Sequence, residues 1–248
     1  MESAVLAQSV SIIVPTLNEA ENVGVLTERI MASGINAREI IFVDDGSTDG
    51  TRERVQDLAL NFPVRLLTRE NPTLGLSGAV TAGAEAATGD LLVVMDADLS
   101  HPPSRIPDLV RPVQAGTCDM VIGSRYVRGG STPGWPLWRR SMSRAASAFA
   151  YPLTHVHDSM CGFFAIPRPL LLELAPAATG FKIAFEIIVH GGRSLRVREI
   201  PIAFRDRTRG ASKMTFRVAS VFFLRWLAAI VRRKPARAAT AATRAPVR

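Results

Sequence analysis

The chain has 248 residues, 47% of them hydrophobic, which is enough for one large α/β domain or for a domain with an appendage. Its two cysteines, Cys118 and Cys161, lie in apolar stretches with no partner at a metal-binding spacing, which predicts buried thiols in a reducing compartment. No basic segment precedes an apolar core near the amino terminus, and no run is long and uncharged enough for a transmembrane helix, so neither a secretory signal nor a membrane span is expected.

The net charge of +8 is concentrated at the carboxyl end of the chain. Residues 232–248 contain six basic residues and no acidic ones. Tails of this kind usually contact a polyanion, either nucleic acid or anionic lipid, and the alternative is a solvated end without a partner. We expect residues 234–248 to form a basic disordered tail.

Strands and helices alternate through the first half of the sequence. Short apolar runs predict the strands, and apolar residues recurring on one face predict the helices. The predicted elements are a strand at 10–14 stopped by Pro15, a helix at 19–31, a strand at 39–43, a helix from a turn at 46–50 to about residue 61 with Ser47 or Asp49 as its cap, a strand at 64–68, a helix at 76–87, a strand at 91–95, and a helix at 104–115 kinked or broken by Pro107 and Pro112. This alternation implies a mostly parallel sheet built from right-handed crossovers.

The second half is less regular. Its predicted elements are a strand at 119–123, a glycine-rich loop before Trp135, a basic helix around 139–144, a strand at 161–167, helices at 168–174 and 181–190, and a late edge strand at 195–204. No glycine-rich dinucleotide fingerprint follows Val14, and the sequence has no P-loop lysine motif. A nucleotide would therefore be bound in another way.

The strand at 91–95 ends in two carboxylates, Asp96 and Asp98, separated by one residue. Its five apolar residues predict a buried central strand, and the carboxyl ends of strands in open α/β sheets face the crevice where ligands bind. Both carboxylates can reach one hard cation, which in turn can hold the phosphates of a nucleotide. The alternative is an acidic loop after a buried strand. The strand at 39–43 also ends in acids, Asp44 and Asp45.

Several segments occur in chain order at suitable spacing: 13–19 (IVPTLNE), 43–50 (VDDGSTDG), Asn71 with 75–79 (GLSGA), and 96–98 (DAD). Together they resemble the inverting nucleotide-sugar glycosyltransferases of family 2, which have the GT-A fold. A second set narrows the resemblance to the polyprenyl-phosphate (dolichyl-phosphate) mannose synthase branch: 96–103, 123–126, Trp135 with Arg139 and 143–144, Asp158 with 162–163, and 199–202 with Arg207, Gly210, Ser212 and Lys213. The chain departs from the branch at Cys161 and Phe164, where Ser or Thr and Arg are common.

The resemblance implies a donor site at the carboxyl ends of the first strands. The residues it assigns to the nucleotide sugar are Pro15, Asn18, Glu19, Asp44, Asp45, Gly75, Asp96 and Ala97. For Asn18 and Asp45, loop closure is the alternative, because Asx side chains commonly have that role. Asp98 is the expected principal ligand of Mg²⁺ or Mn²⁺, with Asp96 and Ser100 as further ligands.

The resemblance also implies a phosphate acceptor. A phosphate monoester is largely dianionic near neutral pH, since its second pKa is about 6, so it needs cations rather than a general base. The residues assigned to the acceptor phosphate are Arg125, Arg139, Ser143, Arg207 and Lys213, with Arg144 in reserve. Asp96, Asp98, Arg125 and Arg207 are the expected catalytic residues. We expect Arg140 and Arg205 to be ordinary surface arginines.

The predicted organisation is a GT-A catalytic domain at 1–212, an amphipathic interface helix at 213–233 and the tail. The helix carries Trp and Phe on one face and arginines on the other, which is typical of a segment lying in a membrane interface, although packing onto the domain is the alternative. Trp135, Trp138, Met142 and Phe149 are candidates for a second surface element near the acceptor.

The leading interpretation is a metal-dependent enzyme that transfers mannose from GDP-mannose to polyprenyl phosphate, peripheral at the cytoplasmic face of a membrane. It involves no nucleic acid, and it leaves open a membrane-anchoring protein partner. Two alternatives remain: transfer of glucose or another hexose from a UDP-sugar to the lipid phosphate or a glycan, and a non-catalytic nucleotide- or polyanion-binding module whose basic tail contacts nucleic acid.

Overall fold

The computed structural model describes residues 8–70, 72–175 and 182–206. The chain divides into two compact units, Met1–Ala211 and Ser212–Arg248, and the described residues all belong to the first. Arg207 and Lys213, the expected interface helix at 213–233 and the basic tail at 234–248 lie outside the described residues.

Seven strands and seven α-helices are found in the described ranges. The strands are β1 (Val10–Thr16), β2 (Ala37–Asp44), β3 (Val64–Thr68), β4 (Leu91–Val94), β5 (Met120–Ser124), β6 (Phe164–Pro167) and β7 (Val197–Pro201). The helices are α1 (Ala20–Met31), α2 (Thr51–Leu58), α3 (Gly75–Ala86), α4 (Ile106–Gln114), α5 (Leu137–Thr154), α6 (Arg168–Leu174) and α7 (Ile183–Gly191). Short 3-10 turns at Pro103–Arg105 and Gly192–Ser194 precede α4 and β7. No helix in this part of the chain is long and apolar enough to cross a membrane.

The strands form one sheet in the order β3-β2-β1-β4-β6-β5-β7. All neighbouring strands are parallel except β6, which runs antiparallel to β4 and β5. The mostly parallel α/β sheet predicted from the sequence is therefore confirmed. The predicted late strand, β7, does lie at an edge of the sheet.

The centre of the sheet is apolar because helices cover it. The four residues of β4 and Ile12, Ile13 and Val14 of β1 are almost completely buried. Helix α3 packs on β1 and β2, while α4 packs on β4, β5 and β6. Gly83 allows α3 to approach closely, since a β-carbon there would lie 2.6 Å from Ile13 Cγ2. Cys118 and Cys161 are buried free thiols, as expected.

Strand β1 does not stop at Pro15, as the sequence predicts, but continues to Thr16. The Ile13 carbonyl accepts a hydrogen bond from the Met95 N–H on the β4 side. Two residues later, Pro15 faces the same side of β1, beyond the last residue of β4. Its missing N–H is not needed there, so proline is tolerated inside this strand.

Other boundaries also differ from the prediction. Helix α5 has 18 residues, well beyond the basic segment at 139–144, because an alanine-rich stretch prolongs it until His155 adopts a left-handed conformation. The predicted break in the helix at 104–115 is confirmed, since a 3-10 turn precedes α4, but Pro112 lies within α4 rather than at the break. Strand β6 begins at Phe164 rather than residue 161, and β7 covers only part of 195–204.

Candidate active site

The carboxyl ends of three neighbouring strands meet at one edge of the sheet. Thr16 at the end of β1 pairs with Asp44 at the end of β2, and β4 ends beside β1 at Val94. The predicted donor residues follow these strands, apart from Pro15 in β1, Asp44 at the end of β2 and Gly75 at the start of α3. The fold therefore brings together carboxylates that are about fifty residues apart in the sequence, at the edge where ligands bind in open α/β sheets.

The loops after β1 and β2 are tied to each other. The Asn18 N–H donates to Ser47 Oγ at 2.9 Å, and Asn18 Oδ1 accepts a hydrogen bond from the Thr48 N–H at 2.9 Å. Asn18 has a φ of 56°, in the left-handed region that Asn tolerates. The Glu19 N–H donates to Thr51 Oγ1, and the Glu19 carboxylate accepts from the Asn22 side chain. Asn18 therefore has the loop-closing role that the sequence left as the alternative to nucleotide binding.

The carboxylate of Asp44 is completely buried where β2 ends. It accepts hydrogen bonds from the backbone N–H groups of Gly46 and Ser47 and from Arg52 Nε. Burial alone would raise the pKa of Asp44, but the hydrogen bonds from Ser47, Arg52 and the loop backbone hold it below its ordinary value. Asp44 is therefore a fixed negative charge at the base of the crevice.

Asp45 is held by an arginine that the sequence analysis did not single out. Arg69 Nη1 donates to both oxygens of Asp45, at 2.8 and 3.0 Å, and the same guanidinium reaches the carbonyls of Thr73 and Gly75. Burial raises the pKa of Asp45, and the charge of Arg69 opposes this only in part. Arg69 thus connects Asp45 to Gly75. In the sequence, the one indication that Arg69 belongs to the site is its position directly after β3.

The loop after β4 carries the two carboxylates separated by one residue. The Asp96 side chain is 38% exposed, and within the described residues no hydrogen bond reaches its carboxylate. Asp98 is nearly buried, and its Oδ1 accepts a hydrogen bond from the Ser100 N–H at 3.1 Å. Ala97, between them, is buried. Leu99 has a φ of 63°, which turns the chain so that Ser100 returns beside Asp98.

The chemistry of this loop fits a hard divalent cation. Ser100 Oγ is buried and has no hydrogen-bond partner among the described residues. Its lone pairs are therefore available to a ligand beside two carboxylates. The described residues contain no cluster of three or more His, Cys, Asp or Glu side chains suited to a metal. Two carboxylates and a hydroxyl leave coordination positions open, as expected where phosphates of a bound nucleotide supply the remaining ligands.

Arg125, after β5, is tied to a buried carboxylate. Its Nε and Nη2 donate to the two oxygens of Asp158 at 2.7 Å each, and its backbone N–H donates to the same carboxylate at 2.9 Å. The guanidinium is largely buried, yet Asp158 raises the pKa of Arg125 above its ordinary value. Glu199 of β7 accepts the N–H groups of His157 and Asp158 and so holds Asp158 in place. Two of the three guanidinium nitrogens of Arg125 are thus used within the protein.

Arg139 and Ser143 lie on α5, one turn apart, and each has a partner that the sequence analysis missed. Arg139 Nη1 donates to Asp206 at 2.6 Å, and the guanidinium carbon lies 4.0 Å from the centre of the Trp135 ring. Ser143 Oγ accepts a hydrogen bond from the Tyr126 hydroxyl at 2.6 Å. These contacts connect α5 to the segments that follow β5 and β7, which no local sequence signal indicates.

A cleft of about 200 Å³ opens beside α5. Its lining residues include no acidic side chain, and they are Arg125, Tyr126, Gly130, Ser131, Thr132, Pro133, Arg140 and Arg144. Arg140 is not the ordinary surface arginine expected from the sequence, because its Nη2 donates to the Thr132 carbonyl and its Nε is buried without a partner among the described residues. Three guanidinium groups around one cleft make it suited to an anion. Arg205 is exposed, as expected.

Comparisons with known proteins agree with this geometry. The sequence profile described as Glycosyl transferase family 2 matches residues 11–174. A dolichol-phosphate mannosyltransferase from Pyrococcus furiosus is 43% identical over 213 residues, which are 83% of this chain and 59% of that protein. The chain therefore spans less than two thirds of that relative's length. A dolichol-phosphate mannosyltransferase from Saccharomyces cerevisiae is 38% identical over 84% of this chain and 82% of its own length.

Among solved structures, glucosyl-3-phosphoglycerate synthase from Mycobacterium tuberculosis, crystallised with Mn²⁺, UDP and glucosyl-3-phosphoglycerate, is similar with a TM-score of 0.68. It is 21% identical, and the similarity covers 90% of this chain and 79% of that one. At this identity the likeness concerns the fold.

Proposed function

The chain belongs to glycosyl transferase family 2 and has its GT-A fold, and from this premise we propose that it transfers mannose from GDP-mannose to a polyprenyl phosphate with inversion at the sugar. The observation that carries the proposal is the 38% identity to a dolichol-phosphate mannosyltransferase, over 82% of that protein's length. Two features of the site support it. The acidic residues at the strand ends can hold a cation that binds the diphosphate of a nucleotide, and the arginine-lined cleft can hold a second anion.

In the donor half of this proposal, Asp44 and the loop tied by Asn18 face the base and ribose. Asp98 is the principal ligand of Mg²⁺ or Mn²⁺, with Asp96 and Ser100 beside it. When bound there, such a cation would supply positive charge that offsets the charge developing on the leaving diphosphate. The Mn²⁺ in the crystals of the mycobacterial synthase, which shares this fold, supports the use of a divalent cation.

In the acceptor half, an oxygen of the lipid phosphate attacks the anomeric carbon as the bond from that carbon to the diphosphate oxygen breaks. No proton has to move, because the attacking oxygen is already ionised near neutral pH. Arg125, held by Asp158, and Arg139 and Ser143 on α5 orient the phosphate. The resemblance also assigns this role to Arg207 and Lys213, which lie outside the described residues. Arg140 and Arg144 add positive charge along the same cleft. Because these cations are preorganised, little reorganisation is required during transfer.

We place the enzyme at the cytoplasmic face of a membrane, where a polyprenyl phosphate is available. Five large apolar side chains of α5 are exposed: Leu137, Trp138, Met142, Phe149 and Tyr151. This helix also contains three arginines and no acidic residue, a composition that favours an anionic lipid surface. We retain residues 1–212, 213–233 and 234–248 as catalytic domain, interface helix and tail, and a membrane-anchoring protein remains a candidate partner.

A transfer assay tests the proposed reaction. Purified full-length protein is incubated with Mg²⁺ or Mn²⁺, a short polyprenyl phosphate, and labelled GDP-mannose or UDP-glucose in parallel, and label is followed into the organic phase. We expect metal-dependent transfer from GDP-mannose alone. Transfer from UDP-glucose alone would show that the donor is a UDP-sugar and not GDP-mannose. Release of nucleoside diphosphate without a lipid product would show that polyprenyl phosphate is not the acceptor.

A vesicle assay tests the membrane assignment. Trp138→Ser and Phe149→Ser should each reduce co-sedimentation with anionic vesicles, whereas Leu60→Ser, at an exposed apolar residue next to α2, should not. Equal sedimentation of all variants and the wild type would exclude α5 as the contact.

A further inference from the structure

His101 lies behind the loop that carries Asp96 and Asp98. The residue is 1% exposed, and its Nδ1 accepts a hydrogen bond from the backbone N–H of Asp96 at 3.1 Å. Because Nδ1 accepts, it carries no proton, and the ring proton of the neutral imidazole is on Nε2. The hydrogen bond therefore requires one tautomer of one side chain.

The imidazole cannot rotate away from this bond, because its neighbours hold it on several sides. It stacks on Phe163 with ring centres 5.2 Å apart and planes 14° from parallel, and Phe204 meets it edge-on at 5.4 Å. Nε2 faces Cys161 Sγ at 3.8 Å, which gives the remaining ring proton a weak acceptor.

The bond from Asp96 to His101 closes a short loop. Between these two residues lie Asp98, the left-handed Leu99 and Ser100, whose hydroxyl has no partner among the described residues. A β-carbon at Gly162 would lie 3.2 Å from Asp96 Oδ1, so glycine at this position leaves room for the carboxylate. The imidazole thus sets the direction of the chain as it leaves β4, and with it the placement of the oxygens in the loop.

We propose that His101 is a positioning residue: its imidazole accepts the Asp96 N–H and so holds Asp96, Asp98 and Ser100 in the arrangement that binds the divalent cation. The inference rests on the proposed metal-dependent function, and it assigns His101 no contact with substrate. Groups that orient metal ligands in this indirect way typically change metal affinity 10- to 100-fold when they are removed.

Two substitutions separate the hydrogen bond from the packing of the ring. His101→Asn keeps an oxygen near the position of Nδ1, whereas His101→Leu has a similar size and no acceptor, and both lose the aromatic stacking. Mn²⁺ binding in the presence of GDP is measured by electron paramagnetic resonance, and thermal unfolding is followed by circular dichroism. We expect about 10- to 100-fold weaker Mn²⁺ binding for H101L, binding within a few-fold of wild type for H101N, and similar unfolding temperatures for the two variants.

Equal losses of affinity in the two variants would overturn the proposal, because packing would then account for the effect. Wild-type affinity in H101L would overturn it as well. The binding assay contains no acceptor, so wild-type protein that binds Mn²⁺ but transfers no mannose would contradict the proposed reaction and leave this inference standing.

The wild-type protein supplies a measurement that does not depend on folding of the variants. Long-range ¹H–¹⁵N correlation spectra of the four histidines report the tautomer of each ring. We expect His101 to show an unprotonated Nδ1 at neutral pH. A protonated Nδ1 would exclude the hydrogen bond from Asp96 and with it the positioning role.

Discussion

The two ends of the central sheet both carry acidic residues, but these residues have different surroundings. At the amino end, Glu39 accepts hydrogen bonds from Ser11, Thr88 and Arg65, and Asp119 before β5 pairs with Arg196 before β7. At the carboxyl end, no hydrogen bond from the described residues reaches the Asp96 carboxylate, and the buried Ser100 hydroxyl has no partner there.

The difference is confined to the loop after β4, because Asp44, the last residue of β2, is also at the carboxyl end and accepts hydrogen bonds from Gly46, Ser47 and Arg52. The acids of the amino end find their partners within the protein and contribute to stability. At the carboxyl end, oxygens remain for a cation and a diphosphate. A buried carboxylate therefore does not by itself indicate a functional site; the distinguishing feature is a polar group whose partner is missing from the protein.

The largest expected effect is at the carboxyl end. Asp98→Asn keeps the size of the side chain but removes one charge from the cation site, so we expect transfer to fall by at least about 1,000-fold, or about 4 kcal/mol. The unfolding temperature should change by only a few degrees. The assay is metal-dependent transfer from GDP-mannose, with Asp108→Asn on the surface of α4 as the matched control. An unchanged rate in D98N would refute the metal assignment.

The next effect is on stability at the amino end. Hydrogen bonds from Thr88, Arg65 and Ser11 outweigh the effect of burial, and they lower the pKa of Glu39 to about 2, from 4.5. The stabilisation from Glu39, about 3 kcal/mol, is then fully present above about pH 4.5 and is lost as the pH falls towards 2.

Denaturant unfolding between pH 2 and 7 measures this contribution. Glu39→Gln should lower the free energy of unfolding at pH 7 and reduce its decline with acid, while kcat of transfer at pH 7 is unchanged. If E39Q lost transfer activity without losing stability, the distinction between the two ends would break down.

A smaller effect is expected at the acceptor cleft. Arg139→Ala removes a charged donor to the acceptor phosphate, so KM for polyprenyl phosphate should rise about 10- to 100-fold, and KM for GDP-mannose should change much less. Arg205→Ala, at an exposed arginine, is the control. Equal effects of R139A on the two KM values would argue against a role at the phosphate.

The sequence predicts the strands that are buried on both faces, but it does not predict contacts between residues that are far apart in the sequence. Strands β1, β2 and β4 are recognisable because both of their faces are largely buried, which makes them nearly continuous apolar runs. The antiparallel direction of β6 cannot be read in this way, because it depends on where the chain returns to the sheet. Likewise, the acids at the strand ends are visible locally, but Arg69 reaches Asp45 across 24 residues and Arg139 reaches Asp206 across 67. Arg140 was misjudged since arginines on helices usually face solvent.

The smallest expected effect returns to the amino end. Arg196 donates to both oxygens of Asp119, and these hydrogen bonds lower the pKa of Asp119, but the arginine side chain is 58% exposed. Solvent screens a pair of this kind, so Asp119→Asn should cost at most about 1 kcal/mol and leave transfer unchanged. Urea unfolding at low and high salt measures the contribution, which should shrink as salt increases. A salt-independent loss of several kcal/mol would mean that this exposed pair stabilises the protein as much as the buried hydrogen bonds of Glu39 do. Solvent exposure would then not explain which acidic residues at the amino end contribute most to stability.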